Sequence, residues 1–143
     1  MGGKSSLPEA WLTREKQQLH DRWIARAEIH SRRVLEAFLE VPRELFVPVA
    51  MQTESYVDYP LPIGAGQTIS QPTTVMLMLD LLDPQSGDRV LEIGAGSGYN
   101  AALLARLAKE VVTVERHEVL AKQAETLLQR AGSRNIRMLC GDG

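Results

Sequence analysis

The first sixty residues are charged and mostly helix-forming, although the apolar periodicity of the first helix is weak. Residues 8–29 favour helix, and the candidate buried positions there are Trp11, Leu12, Leu19, Trp23 and Ile24. Ser31 is a candidate N-cap for a second helix, whose apolar face would carry Val34, Leu35, Phe38 and Leu39. Pro42 should end this helix, because proline disfavours helical geometry in the residue before it. Residues 51–60 read as a loop.

The middle of the chain combines a constrained turn with a strongly apolar segment. Residues 61–72 contain glycine and proline at short intervals, which indicates an ordered turn with short extended pieces. Residues 73–82 are apolar nearly all round, which is typical of a buried helix. Pro84 should terminate that helix.

From residue 89 onward, strand and helix patterns alternate. Strands are predicted at residues 89–93, 111–115 and 135–140, and helices at residues 99–108 and 118–131. Gly132 is well placed as the C-terminal cap of the second helix. The order β-α-β-α-β predicts a parallel sheet with right-handed crossovers, in an α/β, doubly wound, Rossmann-like fold. We expect one structural domain, with a helical lead-in at 1–60 and the alternating part at 61–143.

Composition and charge exclude several classes of protein. The chain has 143 residues, 44% apolar and 24% charged, as is ordinary for one globular domain. Its 16 Lys and Arg against 18 Asp and Glu give a net charge of −2, which offers no footprint for nucleic acid or an anionic membrane. The apolar run at residues 75–82 is too short to span a bilayer, and residues 1–6 lack a signal-peptide pattern. Cys140 is the single cysteine, so we expect a reducing, cytoplasmic setting, with this thiol buried as a small hydrophobe.

Two further groups of residues are expected at the solvated surface. One is the run of charges at residues 14–16. The other is the set of histidines, which lack metal-ligand spacing: His20, His30 and His117. No metal site is therefore expected.

The first chemistry-bearing motif is a glycine-rich turn between a predicted strand and a predicted helix. It reads Glu92-x-Gly94-x-Gly96-x-Gly98. Glycines permit a sharp turn and close approach of a ligand, and the helix N-terminus offers unpaired N–H groups. Glu115 ends the next strand, where an acidic side chain binds ribose hydroxyls in nucleoside-binding sheets. A dinucleotide fingerprint would need glycine at position 99, which is Tyr99, so the spacing fits the turn of S-adenosylmethionine enzymes.

Two further motifs are weaker on their own. Gly141-Asp142-Gly143 follows the third predicted strand, where the Asp142 carboxylate could accept a hydrogen bond from the adenine amino group of a nucleoside. Ser70 suits a helix N-cap, with Pro72 in the first turn. Spacing alone favours this capping role over a role in a binding site.

These motifs together resemble those of the protein-L-isoaspartate O-methyltransferase family. The matching segments are Arg33-Val34, residues 41–48, residues 61–72 and residues 90–99. Glu115 and the Gly-Asp-Gly tripeptide also fall where the family has them, so the resemblance covers about residues 31 to 143. Its most specific part is Pro-Ile-Gly-x-Gly-Gln-Thr-Ile-Ser-Gln-Pro, which ends at Pro72. The resemblance implies a Rossmann-like S-adenosylmethionine methyltransferase fold with a mostly parallel sheet, of which about three strands are present.

The resemblance also implies the site and the reaction. Ser70 corresponds to the family's active-site serine. The methyl donor S-adenosylmethionine is expected at Gln67, Thr68, Glu92, Gly94, Ala95, Gly96, Ser97, Gly98, Tyr99, Glu115, Arg116, Asp142 and Gly143. The implied reaction methylates the α-carboxylate of L-isoaspartyl residues in damaged proteins and peptides, which are the expected partners. The ester then cyclises to a succinimide without the enzyme, which initiates repair.

The end of the chain leaves alternatives open. Family members continue past the Gly-Asp-Gly tripeptide, so we expect a shortened chain, an incomplete gene model or one part of an assembled whole. Successive strands in the order 3-2-1 would leave the outer edge of residues 89–93 unpaired, although their apolar character predicts burial on both faces. Such an edge invites self-association. The alternatives are methyl transfer to a small molecule or RNA, and a non-catalytic module that binds partners through its unfinished sheet.

Overall fold

The N-terminal part of the molecule is a pair of helices. The computed structural model describes residues 9–143. Residues 1–8, which include the predicted helix start at Pro8 and the segment without a signal-peptide pattern, lie outside the described residues. Helix α1 spans Glu9–Ala25 and α2 spans Arg32–Glu40.

The ends of these helices follow local rules. Helix α1 ends earlier than predicted, because Ala27 takes a left-handed φ of 50° that no helix continues through. Ser31 caps α2 as predicted, since its hydroxyl accepts a hydrogen bond from the Val34 amide at 3.4 Å. The helix then ends at Glu40, ahead of Pro42.

Lys16 is not a solvated charge, in contrast to the expectation for residues 14–16. Its Nζ donates to the carbonyl of Leu39 at 2.7 Å and to that of Val41 at 3.0 Å. It therefore satisfies backbone acceptors that the C-terminal end of α2 leaves open. Burial in this position lowers the pKa of the Lys16 ammonium, although Glu44 acts in the opposite direction.

A short hairpin and the turns before it lead towards the sheet. Two 3-10 helices, Arg43–Phe46 and Val49–Glu54, follow α2, so the loop predicted at 51–60 is wrong in its first part. Strands β1 (Leu61–Gly64) and β2 (Gln67–Ile69) then pair antiparallel, which confirms the predicted extended pieces. Ala65 lies in the tight turn between them with a φ of 52°.

Helix α3 (Pro72–Leu82) is capped by a distant residue. Its N-cap is Gln71, which makes no side-chain capping bond, so the prediction that Ser70 caps the helix is wrong. The cap comes from Asp58, whose carboxylate accepts from the Thr73 amide at 2.9 Å and from the Thr73 hydroxyl at 2.6 Å. Arg22 holds the same carboxylate at 2.6 Å.

Replacing Asp58 by asparagine should lower the free energy of unfolding by about 1–2 kcal/mol at pH 7, because asparagine can still accept from the Thr73 amide but loses the charge that pairs with Arg22. Although partial burial opposes ionisation, the hydrogen bonds from Thr73 and Arg22 hold the pKa of Asp58 below its usual value. A lowered folded-state pKa contributes stability above the ordinary carboxyl pKa of about 3.9, and this stability is lost as the pH falls through the folded-state value.

The check is urea unfolding at pH 7 and at about pH 3. The difference between wild type and Asp58→Asn should shrink at the lower pH. Glu125→Gln serves as the control, because Glu125 is an exposed carboxylate on the protein surface. Equal differences at the two pH values would contradict a stabilising role of the ionised Asp58 carboxylate.

The exposure of α3 differs from the prediction of a buried helix. One side packs into the core through Val75, Met76 and Leu79. The other side leaves apolar side chains exposed: Leu77, Met78, Leu81 and Leu82. Helix α3 is apolar on all sides but buried on only one, because among the described residues neighbouring elements cover only that side.

The sheet has three parallel strands in the order β3-β4-β5: Arg89–Ile93, Glu110–Glu115 and Ile136–Cys140. Helix α4 (Tyr99–Leu107) connects the first two strands, and α5 (Glu118–Arg130) connects the last two. Gly132 follows α5 with a φ of 75°, and the Ser133 amide returns to the Leu128 carbonyl at 3.1 Å, as expected for a glycine cap. This arrangement confirms the predicted β-α-β-α-β order and the α/β fold class.

One face of the sheet is covered and the other is bare. Val111, Thr113 and Glu115 of β4 are buried on the covered face. Leu91 and Ile93 of β3 lie on the opposite face and are 63% and 58% exposed, so the prediction that β3 is buried on both faces is wrong for this chain. Cys140 at the end of β5 is also exposed, which corrects the expectation of a buried thiol.

The core joins the helical lead-in to the alternating part. Trp23 packs edge-on against Phe38 with ring centroids 4.6 Å apart, and Phe46 packs against Tyr99 at 5.7 Å. The same cluster reaches Val111 in the central strand, so side chains from both sides of residue 60 share it. Within residues 9–143, no helix combines the length and apolar character needed to cross a membrane.

Candidate functional site

The glycine-rich turn joins the carboxyl end of β3 to the start of α4. Gly94, Gly96 and Gly98 have φ values of 90°, 56° and 91°, a region that residues with a Cβ rarely adopt. The amides of Gly94 and Ala95 donate to the Val114 carbonyl at 2.7 and 3.1 Å. The turn is thereby held against β4 at the carboxyl edge of the sheet, where open α/β sheets bind their ligands.

Glu115 links the turn to the end of β4. Its side chain is 5% exposed, and its two carboxylate oxygens accept hydrogen bonds from different amides. The Gly96 amide donates to Oε2 at 2.9 Å, and the His117 amide donates to Oε1 at 3.0 Å. These two bonds fix the orientation of a buried carboxylate directly beside the turn.

The first of two neighbouring cavities, which we call the carboxylate cavity, lies beyond the ends of β3, β4 and β5. It has a volume of about 140 Å³. Its lining residues are Gln67, Ile93, Gly94, Val114, Glu115, Arg116, His117, Gly141, Asp142 and Gly143. Two carboxylates from the ends of successive strands thus meet in one small space, as the sequence predicts.

The second cavity, which we call the serine cavity, lies between the hairpin and the start of α4. It has a volume of about 90 Å³. Its lining residues are Thr68, Ile69, Ser70, Val75, Gly94, Ala95, Gly96, Ser97, Tyr99 and Asn100. Gly94 lines both cavities, so one elongated ligand could occupy the two together.

Ser70 presents a free hydroxyl to the serine cavity. The residue is exposed, and its hydroxyl makes no hydrogen bond to another residue of the described chain. Its carbonyl, by contrast, accepts from Nη2 of Arg43 at 2.8 Å. The backbone of Ser70 is therefore held while its side chain stays available.

Two residues predicted to contact the ligand do not line either cavity. The carboxylate of Glu92 accepts hydrogen bonds from the Thr113 hydroxyl and from the side-chain amide of Asn100, so it connects β3 to β4 and α4. Burial raises the pKa of Glu92, although these two hydrogen bonds act in the opposite direction. Gly98 faces α5 instead of either cavity. The structure brings the other predicted site residues together around the two cavities.

His117 and Asn100 belong to the cavity walls but are absent from the sequence prediction. His117 is half-buried, and its Nε2 is a buried atom without a hydrogen-bond partner in the described chain, so the expected solvated position is wrong. The sequence does indicate His117, because this residue follows Glu115 by two positions at the carboxyl edge of the sheet. Asn100 lies in the first turn of α4, where its link to Glu92 depends on packing that the sequence does not reveal. Among residues 9–143 no cluster of three potential metal ligands occurs.

Comparison with known sequences gives a family match and several curated relatives. The sequence model of the family described as protein-L-isoaspartate(D-aspartate) O-methyltransferase (PCMT) matches residues 14–143. The protein-L-isoaspartate O-methyltransferase of Methanoregula boonei is 53% identical over 129 residues, which are 90% of this chain and 59% of the relative. That of Methanospirillum hungatei is 48% identical over 136 residues, which are 94% of this chain and 62% of the relative. The chain thus spans somewhat more than half the length of these curated relatives.

Comparison with solved structures supports the fold. A structure described as protein-L-isoaspartate O-methyltransferase has a TM-score of 0.76 at 32% identity, covering 90% of this chain and 42% of that one. A second is described as a beta-aspartate methyltransferase (PCMT) from Plasmodium falciparum in complex with S-adenosyl-L-homocysteine. Its TM-score is 0.76 at 23% identity, covering 88% of this chain and 62% of that one. Together these structures confirm the predicted Rossmann-like fold.

Proposed function

Because the chain belongs to the protein-L-isoaspartate(D-aspartate) O-methyltransferase family, we propose that it supplies the S-adenosylmethionine site and active-site serine of an enzyme that methylates L-isoaspartyl residues. The observation that carries the proposal is the pair of cavities that share Gly94. One cavity has the carboxylates that suit a nucleoside, and the other has a free serine hydroxyl. A ligand that spans both cavities would place its nucleoside part beside the carboxylates and its other end beside the serine hydroxyl.

The residues of the carboxylate cavity fit the nucleoside part of the methyl donor. Each carboxylate oxygen of Glu115 accepts a hydrogen bond from one backbone amide and keeps a lone pair for a hydrogen bond from a ribose hydroxyl. Asp142 lines the same cavity and is exposed, so its carboxylate is available to the adenine amino group. At Gly94 a Cβ would meet no other atom within 4 Å, so a ligand can approach the bare backbone. Bound S-adenosylmethionine would supply a methyl group carried on a positively charged sulfur.

The residues of the serine cavity suit positioning of the acceptor. A carboxylate is already ionised at neutral pH, so methylation requires no strong general base. The Ser70 hydroxyl can donate a hydrogen bond to one carboxylate oxygen while the other oxygen forms the new bond to the methyl carbon. The carbon–sulfur bond breaks as this bond forms, and the opposite charges disappear together. Alignment and exclusion of water are therefore the main contributions of the protein.

A chimaera tests this proposal. In it, residues 14–143 replace the matching segment of the Methanoregula boonei relative, which supplies the rest of the chain. We expect the chimaera to transfer a radiolabelled methyl group to an isoaspartyl peptide, but not to the same peptide with ordinary aspartate. Methylation of RNA or of a small molecule without transfer to this peptide would contradict the substrate. A chimaera that does not fold would contradict the structural equivalence of the segments.

Glu115→Ala in this chimaera should weaken S-adenosylmethionine binding by about 1–3 kcal/mol, because the ribose hydroxyls and two backbone amides lose their acceptor. Calorimetric titration measures the change. Glu110→Ala is the matched control, since Glu110 lies at the opposite end of β4 and pairs with Arg89 at the surface. Unchanged affinity in the Glu115 variant would remove this residue from the site.

A further inference from the structure

Arg43 is a buried cation without an anionic partner in the described chain. Its side chain is fully buried, yet within residues 9–143 no carboxylate forms an ion pair with it. Burial of an unpaired charge is costly unless hydrogen bonds and nearby π systems compensate. A buried cation that lowers stability in this way is a candidate for a specific role, which its contacts indicate.

The side chain of Arg43 contacts two residues that line the serine cavity, Ser70 and Tyr99. Nε donates to the Ser55 carbonyl at 2.6 Å, and Nη2 donates to the Ser70 carbonyl at 2.8 Å. The guanidinium carbon lies 5.0 Å from the ring centroid of Tyr99, the first residue of α4. One side chain therefore connects the end of a 3-10 helix, the loop that carries Ser70 and the helix that follows the glycine turn.

The geometry makes the position of the Ser70 hydroxyl depend on this connection. Ser70 lies between the end of β2 and the start of α3, and its backbone is tied through its carbonyl to Arg43. The planar guanidinium can donate in two fixed directions while its positive charge lies near the ring of Tyr99. A lysine ammonium at this position would keep the charge but lose the fixed pair of donor directions.

We propose that Arg43 is a positioning residue for methyl transfer, which fixes the Ser70 hydroxyl relative to the glycine turn. This inference rests on the proposed function, because it assigns Arg43 a role in that reaction. Arg43 does not line either cavity, so it acts through Ser70 and does not touch the acceptor.

A double-mutant cycle tests this coupling in the chimaera. The variants are Arg43→Lys, Ser70→Ala and the combination, and the measurements are kcat, KM for the isoaspartyl peptide and Kd for S-adenosylmethionine. Contacting residues of one network are non-additive. We expect Arg43→Lys to lower kcat about tenfold when Ser70 is present and less than about twofold in the Ser70→Ala background. The Kd for S-adenosylmethionine should change less than about twofold, because the carboxylate cavity is untouched.

Arg33→Lys provides the matched control. Arg33 also donates to two backbone carbonyls, those of Pro84 at 2.7 Å and Leu107 at 2.6 Å, but away from both cavities. Its substitution should affect stability without lowering kcat. If Arg43→Lys does not fold, Arg43→Gln, which can still donate to one carbonyl, takes its place in the cycle.

The outcomes separate the inference from the proposed function. Equal loss of kcat from Arg43→Lys in both backgrounds would overturn the positioning role and leave the methyltransferase proposal standing. A folded wild-type chimaera without activity on the isoaspartyl peptide would overturn the proposed function itself.

Discussion

Replacing Ser70 by alanine should lower kcat for methylation of an isoaspartyl peptide by about a hundredfold, as expected when a positioning hydrogen bond is lost. The free energy of unfolding should change by less than about 0.5 kcal/mol, because the residue is exposed and does not cap α3. A capping role would have given the opposite pattern, with a loss of about 1 kcal/mol and unchanged turnover. Steady-state kinetics and urea unfolding of the chimaera distinguish the two patterns.

Ser70→Thr is the conservative control. It keeps the hydroxyl at the same position, so it should retain more activity than the alanine variant. The extra methyl group lies in an exposed position and should leave the fold intact. Equal activity of serine, threonine and alanine at this position would refute a role in the reaction.

Residues 1–143 expressed by themselves should self-associate and show little methyl transfer. The outer edge of β3 has no strand partner among the described residues, and one face of the sheet exposes Leu91 and Ile93. The exposed side of α3 adds Leu81, which is 86% exposed. An open edge beside exposed apolar side chains favours pairing with a second copy. Size-exclusion chromatography with light scattering, run beside the methylation assay, measures both effects.

Single charges placed on the bare face should reduce this association. Leu91→Lys and Leu139→Lys are suitable, because neither residue lines a cavity and both are exposed on the sheet. Val119→Lys is the matched control, since Val119 is 64% exposed but belongs to α5. A stable, active wild-type monomer would contradict this prediction, because it would show that the exposed face of the sheet does not cause self-association.

The sequence predicts this fold best where the signal is local. The alternation from residue 89 onward is confirmed because each strand is short and rich in apolar residues, and each helix repeats its apolar positions over two or more turns. The Ser31 cap is confirmed for the same reason, since its partner Val34 is three residues away. The cap of α3 is supplied by Asp58, fifteen residues before its partner, and no pattern near Ser70 indicates it.

The site shows the same division between local and distant information. Glycine spacing and the strand ends locate the carboxylate cavity, because parallel strands end at one edge, whereas only the family resemblance places Ser70 in the site. The orientation of the Glu92 side chain depends on its hydrogen bonds with Thr113 in β4 and Asn100 in α4, and no local pattern around Glu92 indicates these partners. Burial of α3 and β3 was overestimated because apolar character does not reveal which neighbours are present.

The contact between Gly98 and α5 affects how natural variation in this family should be interpreted. A Cβ at position 98 would lie 3.2 Å from Cγ of Leu128 and 3.3 Å from Cβ of Ala124, so selection for helix packing alone would retain the glycine. At Gly141 a Cβ would meet nothing within 4 Å. A lineage that had lost the methyl donor would therefore still keep Gly98 but could replace Gly141. Because Gly141 lines the carboxylate cavity, a side chain there would take up ligand space, whereas a side chain at Gly98 would disturb helix packing.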